Sequence, residues 1–158
     1  MKFSLQQFQK ITSFPKHDEF ELDLKEYLKG SLENSSDTDI KDIDLVKVQI
    51  DIFKIDFLTY RINYKVNTKL ILPCTLTLED VEYPMNIEFD ETYTDDLYYL
   101  ESDDYYPFEN NSVDISEAVW SNIVINIPIR VVREDAYEIL KSRNIILDED
   151  LTDDENNL

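Results

Sequence analysis

Carboxylates and tyrosines are the side chains most able to do chemistry in this chain, which has 35 Asp and Glu and 10 Tyr but one His and one Cys. Between residues 90 and 111, five tyrosines lie among eight acids with no basic residue. Such a segment could bind a basic protein, because carboxylates pair with Lys and Arg and tyrosine rings stack on guanidinium groups. The candidate partner-binding residues are Asp95, Asp96, Tyr98, Tyr99, Asp103, Asp104, Tyr105 and Tyr106. The alternative, which the residues alone favour, is a solvated loop whose charge aids solubility.

Covalent catalysis is poorly supported, because a nucleophile needs a base within hydrogen-bond reach. His17 lies in a polar run, and nothing in the sequence pairs it with Cys74 or with a serine. Cys74 shares the apolar alternation of Leu72 and Leu76, so we expect it to pack rather than react. No catalytic residue is predicted. Since carboxylate pairs are numerous in so acidic a chain, a carboxylate-dependent hydrolase stays open as the enzymatic alternative.

Metal and cofactor sites are not indicated either. Zinc requires clustered Cys and His, and a calcium loop requires alternating acids around a central glycine. Asp95-Asp96 and Asp103-Asp104 show neither feature. A phosphate-binding loop needs several glycines, whereas Gly30 stands alone. We therefore predict no metal and no cofactor.

The charge balance, 15 − 35 = −20, restricts the choice of partner. Nucleic acids and anionic membranes would both be repelled, so direct RNA binding over a broad surface is disfavoured and a basic protein is the natural complement. One cysteine excludes an intramolecular disulfide and suits a reducing compartment. No apolar segment approaches the roughly 20 residues that span a bilayer, and the first residues lack the features of a signal peptide. The expected location is the cytoplasm.

The elements that must position these residues begin with a short helix. Ser4 and Gln7 have the spacing of a capping box, which predicts a helix from about Leu5 to Ile11. A short strand is expected over Phe20–Leu24, and residues 31–39 are expected to form a loop after Gly30.

The middle of the chain alternates apolar and polar residues and therefore predicts half-buried strands. The alternating segments cover residues 46–52, 58–66, 70–78 and 85–89. The short connections between them favour antiparallel neighbours. The predicted fold is α+β: an antiparallel meander with a few short helices packed against it.

Two further helices are predicted towards the C-terminus. Asp114 is a good N-cap, the apolar spacing continues to Ile127, and Pro128 sets the latest end of that helix. Trp120 is expected at the edge of the core, an exposed partner-binding role being the alternative. A third helix is expected over residues 134–143. Residues 147–158 carry six acids and no base, which predicts a disordered acidic tail after a single domain of residues 1–146.

Several segments, in order and spacing, resemble the YceD-like large-ribosomal-RNA accumulation proteins. The family hallmark is an Ile/Val-Asp-Leu/Ile start, an amphipathic helix and an aliphatic run closed by Leu/Ile-Pro, and here Asp114, Ile115 and Pro128 occupy its defined positions. The first seven residues, Leu72-Pro73 and residues 80–84 look like the Gram-positive branch of the family. The similarity extends from Met1 to about Ala136.

The chain departs from the family pattern at positions that matter. Many relatives carry a Cys-x-x-Cys pair and a later cysteine; here Cys74 is followed by Thr77, and Arg133 stands near the later position. These departures argue against a structural zinc. Relatives also often have a glutamate in the hallmark helix where this chain has Asn122.

The resemblance implies a non-enzymatic role in ribosome biogenesis, namely support of large-subunit ribosomal RNA accumulation. Combined with the charge, it leads us to expect a basic ribosomal protein or assembly factor as the partner. The alternative is an acidic module that binds basic proteins for a purpose unrelated to ribosomes.

Overall fold

The computed structural model describes residues 1–33 and 39–143. Eight strands, four α-helices and one 3₁₀ helix over Tyr99–Glu101 are found within these ranges. The strands are β1 (Lys2–Ser4), β2 (Lys16–Leu22), β3 (Asp42–Ile43), β4 (Val46–Asp56), β5 (Thr59–Pro73), β6 (Asp80–Thr94), β7 (Tyr105–Pro107) and β8 (Ser112–Asp114). The helices are α1 (Leu5–Gln9), α2 (Lys25–Glu33), α3 (Ile115–Ile125) and α4 (Ala136–Ser142). The predicted combination of strands with a few short helices is confirmed, while the predicted tail, residues 147–158, lies outside the described residues.

The described strands form a main sheet in the order β2-β4-β5-β6-β7, with β3 pairing to β5, and a separate ribbon of β1 and β8. Alternation sets the register of the main sheet: Tyr64 of β5 lies between Ile50 of β4 and Phe89 of β6. The residues that alternate with these along each strand, such as Gln49 and Lys65, are exposed on the opposite face of the sheet. The half-buried strands predicted over residues 46–52, 58–66 and 85–89 are found in β4, β5 and β6. The alternation predicted over residues 70–78 is wrong in its second half, because β5 ends at Pro73 and Leu78 is exposed.

Helices cover the apolar face of this sheet. Ile62 and Tyr64 of β5 belong to one hydrophobic cluster with Phe8 of α1 and Val119 and Ile123 of α3. Trp120 is partly buried and lies 6.0 Å, centroid to centroid, from Tyr27 of α2, which confirms its predicted place at the edge of the core. No helix among the described residues is long and apolar enough to cross a membrane.

Local capping signals explain where the helices begin. The Ser4 hydroxyl accepts a hydrogen bond from Gln7 N, and the Gln7 side chain accepts one from Ser4 N, so the predicted capping box is present. Asp114 caps α3 by accepting from Glu117 N at 3.3 Å. Each cap satisfies backbone donors that would otherwise have no partner.

The region between residues 16 and 33 differs from the prediction. The polar run before Phe20 is already strand, since β2 pairs with β4 from Lys16 onwards. Helix α2 continues into part of the predicted loop, with Leu24 and Leu28, one turn apart, buried below it. Gly30 does not end this helix, and nothing in its surroundings would exclude a larger side chain.

The predicted loop over residues 90–111 is wrong at its start, and the sheet is mixed rather than purely antiparallel. Strand β6 continues to Thr94 because Asp90–Thr94 pair with Thr59–Asn63 of β5. Strand β7 then returns parallel to β6, with Tyr105 opposite Thr92. Parallel neighbours need a longer connection than the short turn of a hairpin, and the ten residues 95–104 provide it.

A pH-dependent ion pair lies at the edge of this sheet. His17 Nδ1 lies 2.8 Å from Asp51 Oδ1, and Nε2 lies 3.2 Å from Glu19 Oε1. These two hydrogen bonds raise the pKa of His17 above 6.5. Protonated His17 therefore stabilises the fold. This contribution is complete below the pKa of the unfolded state, and it is lost as the pH rises through the pKa of the folded state.

We therefore expect the stability difference between wild type and His17→Gln to shrink from mildly acidic to mildly basic pH. Denaturant unfolding across this range measures it. The ring resonances of this single histidine give the pKa directly. A midpoint at or below 6.5 would contradict the two hydrogen bonds.

Candidate docking surface

Two loops meet at one end of the main sheet. Asp95 N donates to Leu58 O at 3.0 Å, and the buried hydroxyls of Thr59 and Thr94 lie 2.7 Å apart. The β4–β5 turn is thereby fixed beside the segment that follows β6. We call residues 54–58 and 95–104 together the acidic tip.

The acidic tip combines negative charge with exposed apolar side chains. It has one base, Lys54, and six acids: Asp56, Asp95, Asp96, Glu101, Asp103 and Asp104. Four of its large apolar side chains are solvent-exposed: Leu97 (80%), Tyr98 (76%), Phe57 (59%) and Ile55 (47%). Apolar side chains clustered on a surface and bordered by polar groups are typical of a protein-interaction site.

Hydrogen bonds and ring contacts hold the tip in shape. Asp96 Oδ1 accepts from Tyr98 N at 2.9 Å, so this carboxylate orders the turn as well as charging it. The rings of Tyr99 and Tyr105 lie 4.8 Å apart. Partial desolvation and the neighbouring Asp56 carboxylate raise the pKa of Tyr99. The structure thus brings seven of the eight candidate residues together; Tyr106 lies elsewhere.

Tyr106 lines a groove of about 380 Å³ between β6 and β7 on one side and β8 and α3 on the other. Asp114, at the start of α3, lines the same groove. Tyr106, which belongs to the acidic stretch of residues 90–111, therefore lines the same groove as helix α3. This arrangement results from the parallel pairing of β7 with β6 and from the pairing of β8 with β1.

A polar network that sequence reasoning missed forms the inner wall of the groove. The Tyr64 and Tyr93 hydroxyls lie 2.8 Å apart, and the Tyr93 hydroxyl donates to Glu91 Oε2. The other oxygen of Glu91 accepts from Asn122 Nδ2 at 3.2 Å. Burial, above all, raises the pKa of both tyrosines, so they remain neutral donors. The signal was the alternation of Phe89, Glu91 and Tyr93, which places all three on one face of β6.

The family model described as "Large ribosomal RNA subunit accumulation protein YceD" matches residues 62–155. A Bacillus subtilis (strain 168) protein named "Uncharacterized protein YlbN" is 32% identical over 80 residues, which cover 48% of this chain and 45% of that protein. The chain therefore spans about half the length of the curated relative that it matches. No solved structure matches it.

The chain belongs to the YceD family. The resemblance based on the hallmark helix is thereby confirmed, and the family description implies a role in the accumulation of large-subunit ribosomal RNA. The match includes β6, residues 95–104 of the acidic tip and all of α3.

The hallmark positions of this YceD protein have structural roles. Asp114 caps α3, and Ile115, the first residue of this helix, is fully buried. Pro128 follows the end of α3 at Ile125, so the helix stops before the position that a proline forbids. These residues fix α3 against the sheet, and α3 in turn forms one wall of the groove.

Cys74, Thr77 and Arg133, the three positions compared above with the cysteines of relatives, lie close together. Cys74 is buried, Arg133 N lies 3.4 Å from its Sγ, and Thr77 also donates to it. Burial disfavours the Cys74 thiolate, but the backbone donor of Arg133 and donors from Thr77 and Leu76 together lower its pKa to about 7. The predicted burial of Cys74 is confirmed. Among residues 1–33 and 39–143, no group of three or more His, Cys, Asp and Glu could hold a metal ion.

Proposed function

We propose that this YceD protein supports accumulation of large-subunit ribosomal RNA by binding a basic ribosomal protein or assembly factor, with no catalytic step and no cofactor of its own. The observation that carries the proposal is the acidic tip, which combines six carboxylates and one lysine with four exposed apolar side chains. The partner surface consists of Asp95, Asp96, Tyr98, Tyr99, Asp103, Asp104 and Tyr105, and Tyr106 contributes through the adjoining groove.

The two components of the tip have separate tasks in this proposal. Carboxylates attract a basic partner at a distance and orient it, which raises the association rate. Exposed aromatic and aliphatic side chains supply buried area once the partner has docked, and aromatic anchors commonly dominate binding free energy. A protein that holds a basic ribosomal component before its RNA is available would thus act in the cytoplasm, at subunit assembly.

Binding of the ribosomal RNA itself fits the surface less well. Protein–RNA affinity derives largely from Lys and Arg contacts with phosphates, whereas this chain has a formal charge of −20. The proposal therefore assigns the effect on RNA to a protein partner.

Depletion of the protein in its own cell tests this role. We expect the ratio of large- to small-subunit ribosomal RNA to fall selectively, and expression of the wild-type chain to restore it. An unchanged ratio after verified depletion would overturn the ribosomal role, and the acidic tip would then serve a basic partner unrelated to ribosomes.

A further inference from the structure

The groove beside α3 has an excess of negative charge. Its lining includes the carboxylates of Glu91, Glu109, Asp114 and Glu117 and the single cationic side chain of Lys2. Glu91 is held by the neutral donors Tyr93 and Asn122, and within the described residues it forms no ion pair with a lysine or arginine. Glu91 thus contributes a carboxylate to the groove whose hydrogen-bond partners are neutral, and Lys2 is the one lysine or arginine in the lining.

The groove also offers an aromatic wall. Tyr106 is 47% exposed, and its ring is supported from behind by Tyr93 at 6.0 Å between centroids. Ile125, on the facing helix, leaves 75% of its surface exposed along the same groove. A ligand that fits must combine positive charge with a flat face that can stack on tyrosine.

We propose that this groove binds the guanidinium group of an arginine in an extended segment of a basic protein partner. A guanidinium is planar, stacks on aromatic rings and pairs with carboxylates through two parallel hydrogen bonds, whereas an ammonium group is a compact point charge. A volume of about 380 Å³ lies within the range of small-ligand sites and admits one such side chain with part of its backbone. The excess of carboxylates disfavours a phosphate at the same position, although Asp114 already lies 3.8 Å from the N-terminal ammonium group.

This inference rests on the proposed function for the nature of the partner, and it adds a second, more selective contact beside the acidic tip. The tip would attract basic segments in general, and the groove would select those that present an arginine. The groove can therefore be tested with a small probe that does not depend on ribosomes.

The test is a titration of the full ¹⁵N-labelled chain with acetyl-Gly-Arg-Gly-amide, compared with the same peptide carrying citrulline. Citrulline preserves the shape of arginine and removes its charge. We expect the arginine peptide to shift amide resonances of β7, β8 and α3 and to bind at least about fivefold more tightly than the citrulline peptide.

Two groove variants and one matched control locate the site. Tyr106→Ala and Glu117→Gln should each weaken arginine binding about two- to fivefold, the size of one exposed cation–π contact or ion pair. Neither side chain belongs to the buried core. Glu21→Gln makes the same charge change at an exposed position of β2 and should leave the affinity unchanged.

Equal affinity for the two peptides, or binding that survives both groove variants, overturns the proposal. Arginine binding that is lost with the groove variants but not with Glu21→Gln supports it. The ribosomal RNA ratio after depletion is a separate readout, so an intact groove with an unchanged ratio would reject the ribosomal role alone. A selective fall in that ratio with no peptide binding would reject the groove alone.

Discussion

Replacing Ile123 by aspartate should abolish the folded state of this protein. Ile123 is fully buried within the hydrophobic cluster between α3 and the main sheet. The change removes a core side chain, which alone costs about 2–5 kcal/mol, and buries a carboxylate without a partner. Since a domain of this size has about 5–15 kcal/mol of stability, we expect circular dichroism to show no cooperative thermal transition.

Ile125→Asp is the matched control, because the same substitution two residues further along α3 falls on a side chain that is 75% exposed. It should lower the free energy of unfolding by less than about 1 kcal/mol, the cost of a carboxylate in the last turn of a helix. Ile123→Val provides an intermediate case, with an expected loss of about 0.5–1.5 kcal/mol. Equal stability of the two aspartate variants would show that α3 does not pack on the sheet through Ile123.

Neutralising the acidic tip should weaken binding of a basic partner about tenfold and flatten its dependence on salt. The variant combines Asp95→Asn, Asp96→Asn, Asp103→Asn and Asp104→Asn. Exposed ion pairs contribute about 0.2–1 kcal/mol each, and 1.4 kcal/mol corresponds to a factor of ten. Asparagine keeps the acceptor oxygen that orders Tyr98, so the turn should be retained. Biolayer interferometry with purified basic large-subunit ribosomal proteins, at low and physiological ionic strength, measures the effect.

A control with the same net charge separates local from general electrostatics. Four exposed glutamates outside the tip are changed to glutamine: Glu21, Glu26, Glu88 and Glu138. If docking occurs at the tip, this control should keep most of the wild-type affinity. Equal weakening by both variants would mean that total charge, rather than the tip, determines binding.

Sequence reasoning succeeded where the signal was local. The capping residues Ser4, Gln7 and Asp114 lie within three positions of the backbone groups that they satisfy, so their roles can be inferred without tertiary information. The alternation of β4 and β5 likewise reports burial on one face. The helical spacing that includes Val119 and Ile123 also leaves Ile125 off the apolar face of α3, and in the structure Ile123 is buried and Ile125 exposed.

The missed features depend on contacts between distant segments. Glu91 occupies a position on the apolar face of β6, and it interrupted the pattern that defined the strand. Its partner Tyr93 lies on the same strand. Its other partner, Asn122, lies on α3, thirty-one residues further along the chain. Likewise, Tyr106 is separated from Tyr99 and Tyr105 because neighbouring residues of the extended β7 point to opposite faces, so that Tyr105 contacts Tyr99 and Tyr106 contacts Tyr93. A sequence pattern that fails at one polar residue was here the sign of a structured polar site.

The two outer strands of the main sheet bear on how this protein avoids unwanted self-association. Strand β2 presents alternating exposed Lys16, His17, Glu19 and Glu21, and β7 is three residues long and ends at Pro107. Charged, short or proline-terminated edges are poor templates for addition of another strand. Cross-β aggregation is thereby discouraged, although neither outer strand pairs with a further strand among the described residues. Recognition of a partner is left to side chains at the loops, rather than to backbone pairing along an edge.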